Sequence, residues 1–256
     1  MVKISIITVV YNNPQVGQAL DSIFAQQLAP GDELEVVVID GGSSIETLTV
    51  IEEYRARIAV YISERDGGIY DGMNKGLERA SGDVIGTLNS DDLYQDDQVL
   101  ATVMKSFLES SAQVVYGDLV YVQKENPAKV VRYWRSRPYQ EGLFEMGWMP
   151  PHPTFFVRRE VYQQYGRFDL DYRLAADFEL TMRFLARAQV PSKYVPKVLV
   201  RMRLGGATNK NLMNILKANL ESQRACKKNH LKVPAYFILM KIFSKVPQFF
   251  SRARDI

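Results

Sequence analysis

Short apolar runs alternate with amphipathic segments through the first half of the chain. Five runs are rich in β-branched residues, as is typical of strands buried on both faces of a parallel sheet. These runs are Ile4–Val10, Leu34–Asp40, Ala59–Ser63, Val84–Asn89 and Gln113–Val122. Helical periodicity occurs between them, with apolar residues on one face at positions 16–24, 69–80 and 99–107. This alternation predicts right-handed crossovers and a doubly wound α/β sheet.

The first four predicted strands end in polar residues. Their ends read "TVVYNN", "DGGSS", "SERDGG" and "NSDD". Because doubly wound sheets bind ligands beyond the carboxyl ends of their strands, we expect these ends to form one polar site. Turn formation alone explains any single polar loop, but four such ends favour a binding site. Asp91 and Asp92 repel each other unless they are solvated, hydrogen-bonded or neutralised by a cation.

The pattern loosens after about Arg132. Residues 133–169 contain both tryptophans, Trp134 and Trp148, and predict an irregular, aromatic-lined segment. Core packing, a lid and stacking on a sugar ring all remain interpretations of these two rings. A helix is predicted over 174–188, a strand over 193–204 and a further helix over 211–229. The "GGATN" segment that separates the last two is a candidate for contacting or covering a bound phosphate.

The composition narrows the class of protein. A chain of 256 residues that is 46% hydrophobic accommodates one large α/β domain or two small ones. The single cysteine, Cys226, excludes an internal disulfide framework and favours a reducing compartment. The N-terminal residues show no secretory leader pattern, so no signal peptide is expected.

The positive charge is concentrated at the C-terminus. Residues 227–256 carry seven Lys or Arg and one Asp, although the whole chain has a net charge of only +3. We therefore expect no nucleic-acid partner. The basic, apolar stretch 233–254 suits the surface of a membrane with anionic headgroups, and its unbroken apolar run is too short to span one. Packing on the same domain or on a second copy, as a homodimer, is the alternative.

Carboxylates at these strand ends suit a nucleotide-sugar site. Asp40 can accept hydrogen bonds from a base, and Asp91 and Asp92 suit the ribose and a cation on the diphosphate. Hard oxygen ligands without a nearby cysteine favour Mg²⁺ or Mn²⁺ over zinc. A dinucleotide site is disfavoured, because no G-x-G-x-x-G follows the first strand.

Four stretches together resemble family 2 of the glycosyltransferases, the inverting enzymes with the GT-A fold. They are "SIITVVYNN", "VVVIDGGSSIETL", "ISERDGGIYDGMNKGLERASGDVIGTLNSDD" and "AADFEL". The likeness spans about residues 3–210 and is greatest to bacterial transferases of colanic acid, capsule and O-antigen assembly. It implies a GT-A (Rossmann-like) domain over 1–210, with a mostly parallel mixed sheet flanked by helices. A nucleotide-binding half (1–123) and an acceptor half (124–210) would precede a basic, amphipathic helical extension (211–256).

The resemblance also implies roles for individual residues. The implied donor-binding residues are Thr8, Val10, Tyr11, Asp40, Asp66, Lys75, Asn89 and Asp91. Asp92 is the implied ligand of Mn²⁺ or Mg²⁺, and Asp91 the implied ribose or sugar contact. Asp177 matches the general base that takes the proton of the acceptor hydroxyl.

The acceptor side has several open alternatives. Ala176 stands where a Glu is commoner in the family, and Glu179 is the alternative base. Asp177 could instead serve only to favour the N-terminus of its helix. The expected members of an acceptor or sugar pocket are His152, Glu179, Trp148 and Arg203, each with a structural role as the alternative.

These expectations define an inverting, metal-dependent glycosyltransferase. It would move a sugar from a nucleotide sugar, a UDP-sugar by preference, to a hydroxyl of a lipid-linked oligosaccharide or polysaccharide. We expect it in the cytoplasm, with peripheral contact to the cytoplasmic face of the inner membrane as an extension of that placement. A sugar nucleotidyltransferase is disfavoured, because "VVYNNPQVG" has no Lys or Arg to bind phosphate. A non-catalytic nucleotide or carbohydrate-binding module is the other alternative.

Overall fold

The computed structural model describes residues 2–205, 212–243 and 248. One mixed sheet of nine strands organises the chain. The strands are β1 (Lys3–Val10), β2 (Glu33–Asp40), β3 (Val60–Ser63), β4 (Val84–Thr87), β5 (Leu93–Tyr94), β6 (Val114–Val122), β7 (Val130–Trp134), β8 (Phe156–Arg158) and β9 (Ser192–Arg203). The helices are α1 (Val16–Phe24), α2 (Ile45–Glu53), α3 (Ile69–Arg79), α4 (Val99–Leu108), α5 (Arg159–Tyr165), α6 (Ala176–Met182), α7 (Leu212–Lys228) and α8 (Phe237–Phe243).

The order of the strands confirms the predicted parallel part of the sheet and shows an unpredicted strand beyond β4. The main path runs β3-β2-β1-β4-β8-β6-β9-β5, and β7 pairs with β6. Strands β3, β2, β1 and β4 are mutually parallel, as the alternating pattern predicts. Strand β8 lies antiparallel between β4 and β6, so these two predicted strands are not neighbours. A three-residue strand has no periodicity of its own, which is why the sequence did not predict β8.

Two apolar clusters cover the two faces of the sheet. One lies under α1 and α4 and includes Ile4, Ile6 and Leu100. The other lies under α3 and α6 and includes Ile7 and Met73. Helix α3 approaches β1 closely, because a Cβ at Gly76 would lie only 2.4 Å from a methyl carbon of Ile7. At Gly72, in the first turn of α3, a Cβ would lie 2.6 Å from a methyl carbon of Val9, so the start of α3 lies close to the end of β1, where the polar site was predicted.

The predicted helix 174–188 is two elements. Helix α6 ends at Met182, and the chain continues as a π-helical turn, Arg183–Arg187. The wider turn changes the hydrogen-bond spacing without a change in apolar periodicity, so the pattern could not reveal it.

The described part of the C-terminal extension packs against α6. The ring of Phe237 in α8 meets the ring of Phe178 edge-on, with centroids 6.3 Å apart. Lys241 Nζ lies 4.1 Å from the centroid of the Phe178 ring. The residues exposed on α8 and just before it are Tyr236, Leu239, Ile242 and Phe243. None of the helices in the described ranges has the length and apolar character needed to cross a bilayer. The predicted contacts of residues 244–247 and 249–254, and of 206–209 in "GGATN", lie outside the described residues.

Candidate active site

Side chains and backbone groups join the carboxyl ends of β1, β2 and β4. The Asn12 N–H donates to Ser43 Oγ at 2.8 Å, and the Ser44 N–H donates to Asn12 Oδ1 at 2.8 Å. Asn13 Nδ2 donates to Ser90 Oγ at 3.1 Å, which links the end of β1 to the "NSDD" loop. The predicted convergence of these polar strand ends is therefore present in the structure.

Asp40 is fully buried at the end of β2 and holds the turn that follows. Its carboxylate accepts hydrogen bonds from the N–H groups of Gly42 and Ser43, both at 3.2 Å, and from Ser63 Oγ at 2.6 Å. These bonds join the ends of β2 and β3. The predicted contact between Asp40 and a base stays a prediction.

Asp66 lies directly over this turn. A Cβ at Gly41 would lie 2.7 Å from Asp66 Oδ2, so only glycine leaves room for the carboxylate there. Asp66 Oδ1 accepts a hydrogen bond from the Gly68 N–H at 2.9 Å, which shapes the entry into α3. Lys75 in α3 pairs with Glu64 at 2.7 Å, and this bond raises the pKa of Lys75. Both residues therefore stabilise the loop that borders the strand ends.

The three predicted donor contacts of β1 differ in access. Tyr11 is 64% exposed, whereas Thr8 and Val10 are buried in the sheet. Thr8 Oγ1 is buried without a hydrogen-bond partner among the described residues. Tyr11 alone of the three presents its side chain to solvent at this edge, and the contacts of Thr8 and Val10 with a nucleotide stay predictions.

The two carboxylates of "NSDD" have different surroundings. Asp92 is fully buried and accepts hydrogen bonds from Asn89 Nδ2 at 2.8 Å and from the Arg203 N–H at 3.3 Å. Asp91 is half-buried, and no side chain of the described residues donates to its carboxylate. Burial raises the pKa of both groups, and the charge of Asp91 raises that of Asp92 further. Asp91 is thus the carboxylate with access to a ligand.

Arg203 lies beneath this loop. It is only 2% exposed, and its guanidinium donates to the carbonyl oxygens of Asp91 at 2.8 Å and Lys124 at 3.2 Å. A third bond goes to Gln18 Oε1. Because these protein acceptors occupy the buried guanidinium, Arg203 supports the "NSDD" loop, and its predicted contact with the sugar stays a prediction.

Asp177 is the second residue of α6 and is held by a distant tyrosine. Tyr70, which is 107 residues away in the first turn of α3, donates its hydroxyl to Asp177 Oδ1 at 3.1 Å. The Phe178 N–H donates to the same oxygen at 2.8 Å. Burial, and after it the negative charge of Asp177, raises the pKa of Tyr70 well above 10, so the hydroxyl keeps its proton at neutral pH.

His152 lies against the end of β4. Its Nδ1 is 3.5 Å from the hydroxyl of Thr87, the last residue of β4, at the outer limit of a hydrogen bond. Its ring packs on Phe168 with centroids 5.4 Å apart, and Phe168 stacks on Tyr70 at 5.5 Å. Burial lowers the pKa of His152, while the nearby charge of Asp177 opposes that effect. The lowered pKa favours the neutral imidazole at neutral pH.

Glu179 does not belong to this group. Its buried carboxylate accepts hydrogen bonds from Arg183 Nε and Arg183 Nη2, both at 3.0 Å. It also accepts one from Asn229 Nδ2, just after α7, at 3.1 Å. Residues two apart on a helix point in opposite directions, so Glu179 faces α7 while Asp177 faces Tyr70. These contacts favour a structural role for Glu179, and its assignment as base or acceptor contact stays the alternative to Asp177.

Trp148 is part of an aromatic cluster. Its ring lies 5.4 Å from Phe144, 6.1 Å from Tyr139 and 6.2 Å from Tyr116, measured between centroids. Trp134 stacks on Tyr121 at 6.4 Å. These contacts support the packing interpretation of both tryptophans over stacking on a sugar.

Sequence reasoning did not assign several residues of the site. Asn12 and Asn13 were visible as a polar strand end, and that was their only signal. Tyr70 and Phe168 gave none, because each reads as an ordinary apolar position in a local pattern. Their importance depends on contacts between segments about a hundred residues apart.

A divalent cation fits this site with Asp91 as its protein ligand. Among the described residues, no group of three or more His, Cys, Asp or Glu side chains is arranged to hold a metal. Mg²⁺ usually binds through one or two carboxylates together with substrate phosphates and waters, so a cluster is not required. The half-buried carboxylate of Asp91, which receives no side-chain hydrogen bond from the described residues, suits such a ligand set.

The mixed sheet, with polar groups that converge at the carboxyl ends of its parallel strands, has the architecture of a GT-A glycosyltransferase. The sequence matches the family described as glycosyl transferase family 2 over residues 5–166, and the chain belongs to this family. A PGL/p-HBAD biosynthesis glycosyltransferase of Mycobacterium bovis is 28% identical over 195 residues, which cover 74% of this chain and 72% of the relative.

Two solved structures share the fold. Staphylococcus aureus TarS 1–349 in complex with UDP-GlcNAc superposes with a TM-score of 0.64 at 17% identity, covering 98% of this chain and 74% of that one. The mannosyltransferase PcManGT from Pyrobaculum calidifontis, in complex with GDP-Man and Mn²⁺, has a TM-score of 0.64 at 18% identity, covering 94% and 68%. This chain is therefore a glycosyltransferase of the GT-A class.

Proposed function

We propose that this glycosyltransferase moves a sugar, with inversion, from a UDP-sugar to a hydroxyl of a lipid-linked oligosaccharide or polysaccharide. The observation that carries the proposal is a series of contacts that begins at Thr87, two residues before the "NSDD" loop, where His152 Nδ1 lies 3.5 Å from the Thr87 hydroxyl. The His152 ring packs on Phe168, Phe168 stacks on Tyr70, and Tyr70 donates a hydrogen bond to Asp177. One short path of contacts thus joins the donor-side carboxylates to the acceptor-side base. This arrangement and the membership of family 2 favour transfer over nucleotidyl transfer or simple binding.

The donor assignment rests on the strand ends and on the structural relatives. TarS binds UDP-GlcNAc, which supports a uridine donor, whereas PcManGT binds GDP-Man. Asp40, Asp66 and exposed Tyr11 lie at the edge where the base and ribose would bind. A GDP-sugar is the competing donor, and a direct comparison of the two nucleotides decides between them.

We assign the cation to Asp91 and a supporting role to Asp92. Asp91 has access to a ligand, whereas Asp92 is enclosed and holds the Asn89 amide and the Arg203 backbone. This reverses the division expected from the resemblance. Mn²⁺ or Mg²⁺ bound with the donor diphosphate would neutralise charge on the departing nucleotide. PcManGT, which binds Mn²⁺, supports the use of a divalent cation.

Asp177 is the proposed general base. A base on the face of the sugar opposite the leaving group takes the proton of the acceptor hydroxyl, which gives inversion. The neighbouring imidazole of His152 is neutral and can donate or accept a hydrogen bond from the acceptor or the transferred sugar.

The lipid-linked acceptor implies contact with a membrane surface. The exposed apolar residues at 236–243, together with exposed Lys217, Lys227 and Lys232, support peripheral binding to anionic lipid. Flotation with vesicles of phosphatidylglycerol, compared with vesicles of phosphatidylcholine, tests this placement. Absence of binding, with a dimer in solution, would favour the alternative that this surface joins two copies.

A donor panel tests the activity itself. The purified chain is incubated with UDP- and GDP-sugars in Mn²⁺, Mg²⁺ or EDTA, and release of the nucleoside diphosphate is measured. We expect release from UDP-sugars with a divalent cation, loss in EDTA, and loss in Asp177→Asn. A chain that neither binds nor cleaves any nucleotide sugar would overturn the proposal.

A further inference from the structure

The two carboxylate oxygens of Asp177 have different environments. Oδ1 accepts both recorded hydrogen bonds, from the Tyr70 hydroxyl at 3.1 Å and from the Phe178 N–H at 2.8 Å. In the part of the chain that the structure describes, no group donates to Oδ2. Two donors on one oxygen fix the rotation of the carboxylate and leave the other oxygen able to accept a proton.

Tyr70 is itself held in place by α3 through Phe168. The two rings stack with centroids 5.5 Å apart. The side chain of Asn74 forms hydrogen bonds with both the N–H and the carbonyl of Phe168. Asn74 Oδ1 accepts the Phe168 N–H at 3.0 Å, and Asn74 Nδ2 donates to the Phe168 carbonyl at 2.9 Å. Because Asn74 is one helical turn after Tyr70, the same helix supplies the tyrosine and the support for its ring.

We infer that Tyr70 is a positioning residue for the general base: it holds Asp177 Oδ1 and thereby presents Oδ2 to the acceptor hydroxyl. The inference rests on the proposed function. A base oriented by a third group is a recurring arrangement in nucleophile activation.

Transfer of the sugar forms one bond at the anomeric carbon and breaks another. The acceptor oxygen forms a bond to the anomeric carbon as its proton passes to Asp177 Oδ2. The bond between the anomeric carbon and the phosphate oxygen breaks, and its electron pair leaves with the nucleoside diphosphate. Tyr70 keeps its own proton throughout, because burial and then the charge of Asp177 hold its pKa well above 10.

The charged and titratable groups around this pair come from several elements. Those that act on Asp177 or Tyr70 are His152 in the turn after Pro151, Tyr121 in β6 and Glu221 in α7. On α6 itself, Glu179 is paired with Arg183 and faces away. A hydrogen bond to a carboxylate stabilises its charged form, so the pH profile of turnover is a readout of the contact made by Tyr70.

The test compares Tyr70→Phe with the wild-type chain in pH profiles of nucleoside diphosphate release. We expect kcat at neutral pH to fall about tenfold, and the acidic limb of the kcat profile to move upward by about one pH unit. The KM for the donor should stay unchanged, because the substitution touches no donor contact. Incorporation of 3-fluorotyrosine at position 70 makes the hydroxyl a stronger donor at nearly the same size, and should move the limb to lower pH.

Two further variants separate the outcomes. Tyr162→Phe, at a buried tyrosine of α5 that packs on Phe184, is the matched control and should leave the profile unchanged. If Asp177→Asn keeps turnover, the proposed base is wrong. If Asp177→Asn is inactive but neither change at Tyr70 moves the acidic limb, the inference about Tyr70 is overturned while the proposed function stands. If Tyr70→Phe does not fold, the 3-fluorotyrosine protein decides.

Discussion

Glu221 in α7 accepts a hydrogen bond of 2.8 Å from the backbone N–H of Leu174, just before the helix that carries Asp177. The same carboxylate accepts the Ala175 N–H at 3.0 Å and the Arg173 N–H at 3.3 Å. These N–H groups belong to the residues that lead into α6, and a carboxylate at this end of the helix also interacts favourably with the helix dipole. The C-terminal extension therefore caps the segment that leads into α6 and helps to set the position of Asp177.

Glu221→Ala should weaken both the fold and catalysis. Loss of the cap should lower the free energy of unfolding by about 1–2 kcal/mol and reduce kcat, because the start of α6 loses its support. Glu221→Gln keeps one acceptor oxygen, so its stability and kcat should lie between those of the wild-type chain and Glu221→Ala. Urea denaturation and nucleotide release measure these effects, with the exposed Glu52→Ala of α2 as control. Wild-type stability and kcat in Glu221→Ala would show that the cap is dispensable.

Substitution of Asp91 should mainly reduce turnover, whereas substitution of Asp92 should mainly reduce stability. Asp91→Asn should lower cation-dependent turnover about 100-fold or more, with little change in the free energy of unfolding. Asp92→Ala leaves the Asn89 amide and the Arg203 N–H without their acceptor, and should cost about 1–3 kcal/mol of stability.

Titration of turnover with Mn²⁺, combined with denaturant unfolding of each variant, measures this pair of effects. Should Asp92→Ala unfold like the wild-type chain while Asp91→Asn keeps its dependence on the cation, the metal would belong to Asp92 after all.

Glu179→Gln and Asp177→Asn each replace a carboxylate by the corresponding amide, on opposite faces of α6. Glu179→Gln removes the charge that pairs with Arg183, so we expect a loss of about 2 kcal/mol or more in stability and near-normal turnover of the folded protein. Asp177→Asn should show the reverse, with near-normal stability and no turnover. Thermal unfolding and turnover per folded molecule measure both, and a Glu179→Gln chain that folds normally but is inactive would contradict the assignment.

Glu35 lies at the end of the sheet away from the site, and it should make the stability of the fold sensitive to acid. Burial opposes its ionisation, but hydrogen bonds from Ser5, Ser81 and Lys3 outweigh burial and lower the pKa of Glu35 from 4.5 to about 2. A pKa that is lower in the folded state contributes stability above 4.5, and this contribution is lost as the pH falls from 4.5 through about 2.

The wild-type chain should therefore lose up to about 3 kcal/mol more stability than Glu35→Gln between pH 5 and pH 2. Unfolding free energies of both proteins across this range measure the difference. Parallel curves would mean that Glu35 does not contribute to acid sensitivity.

Local patterning determined a large part of this protein. The β-branched runs at Ile4–Val10 and Leu34–Asp40 predicted β1 and β2 within a residue or so of their bounds. The polar residues that end these strands also predicted which edge of the sheet carries the site. Periodicity and strand-end polarity are properties of neighbouring residues, so the sequence displays them directly.

Only the tertiary structure decided which of these polar groups reach a ligand. Asp91 and Asp92 are adjacent and chemically identical, and the approach of Arg203 from β9 encloses one of them and not the other. Glu179 and Asp177 lie on opposite faces of α6, and different segments pack against each face. Such outcomes depend on the packing of segments far apart in the chain, as in the 107-residue separation of Tyr70 from Asp177, and no local pattern encodes that packing.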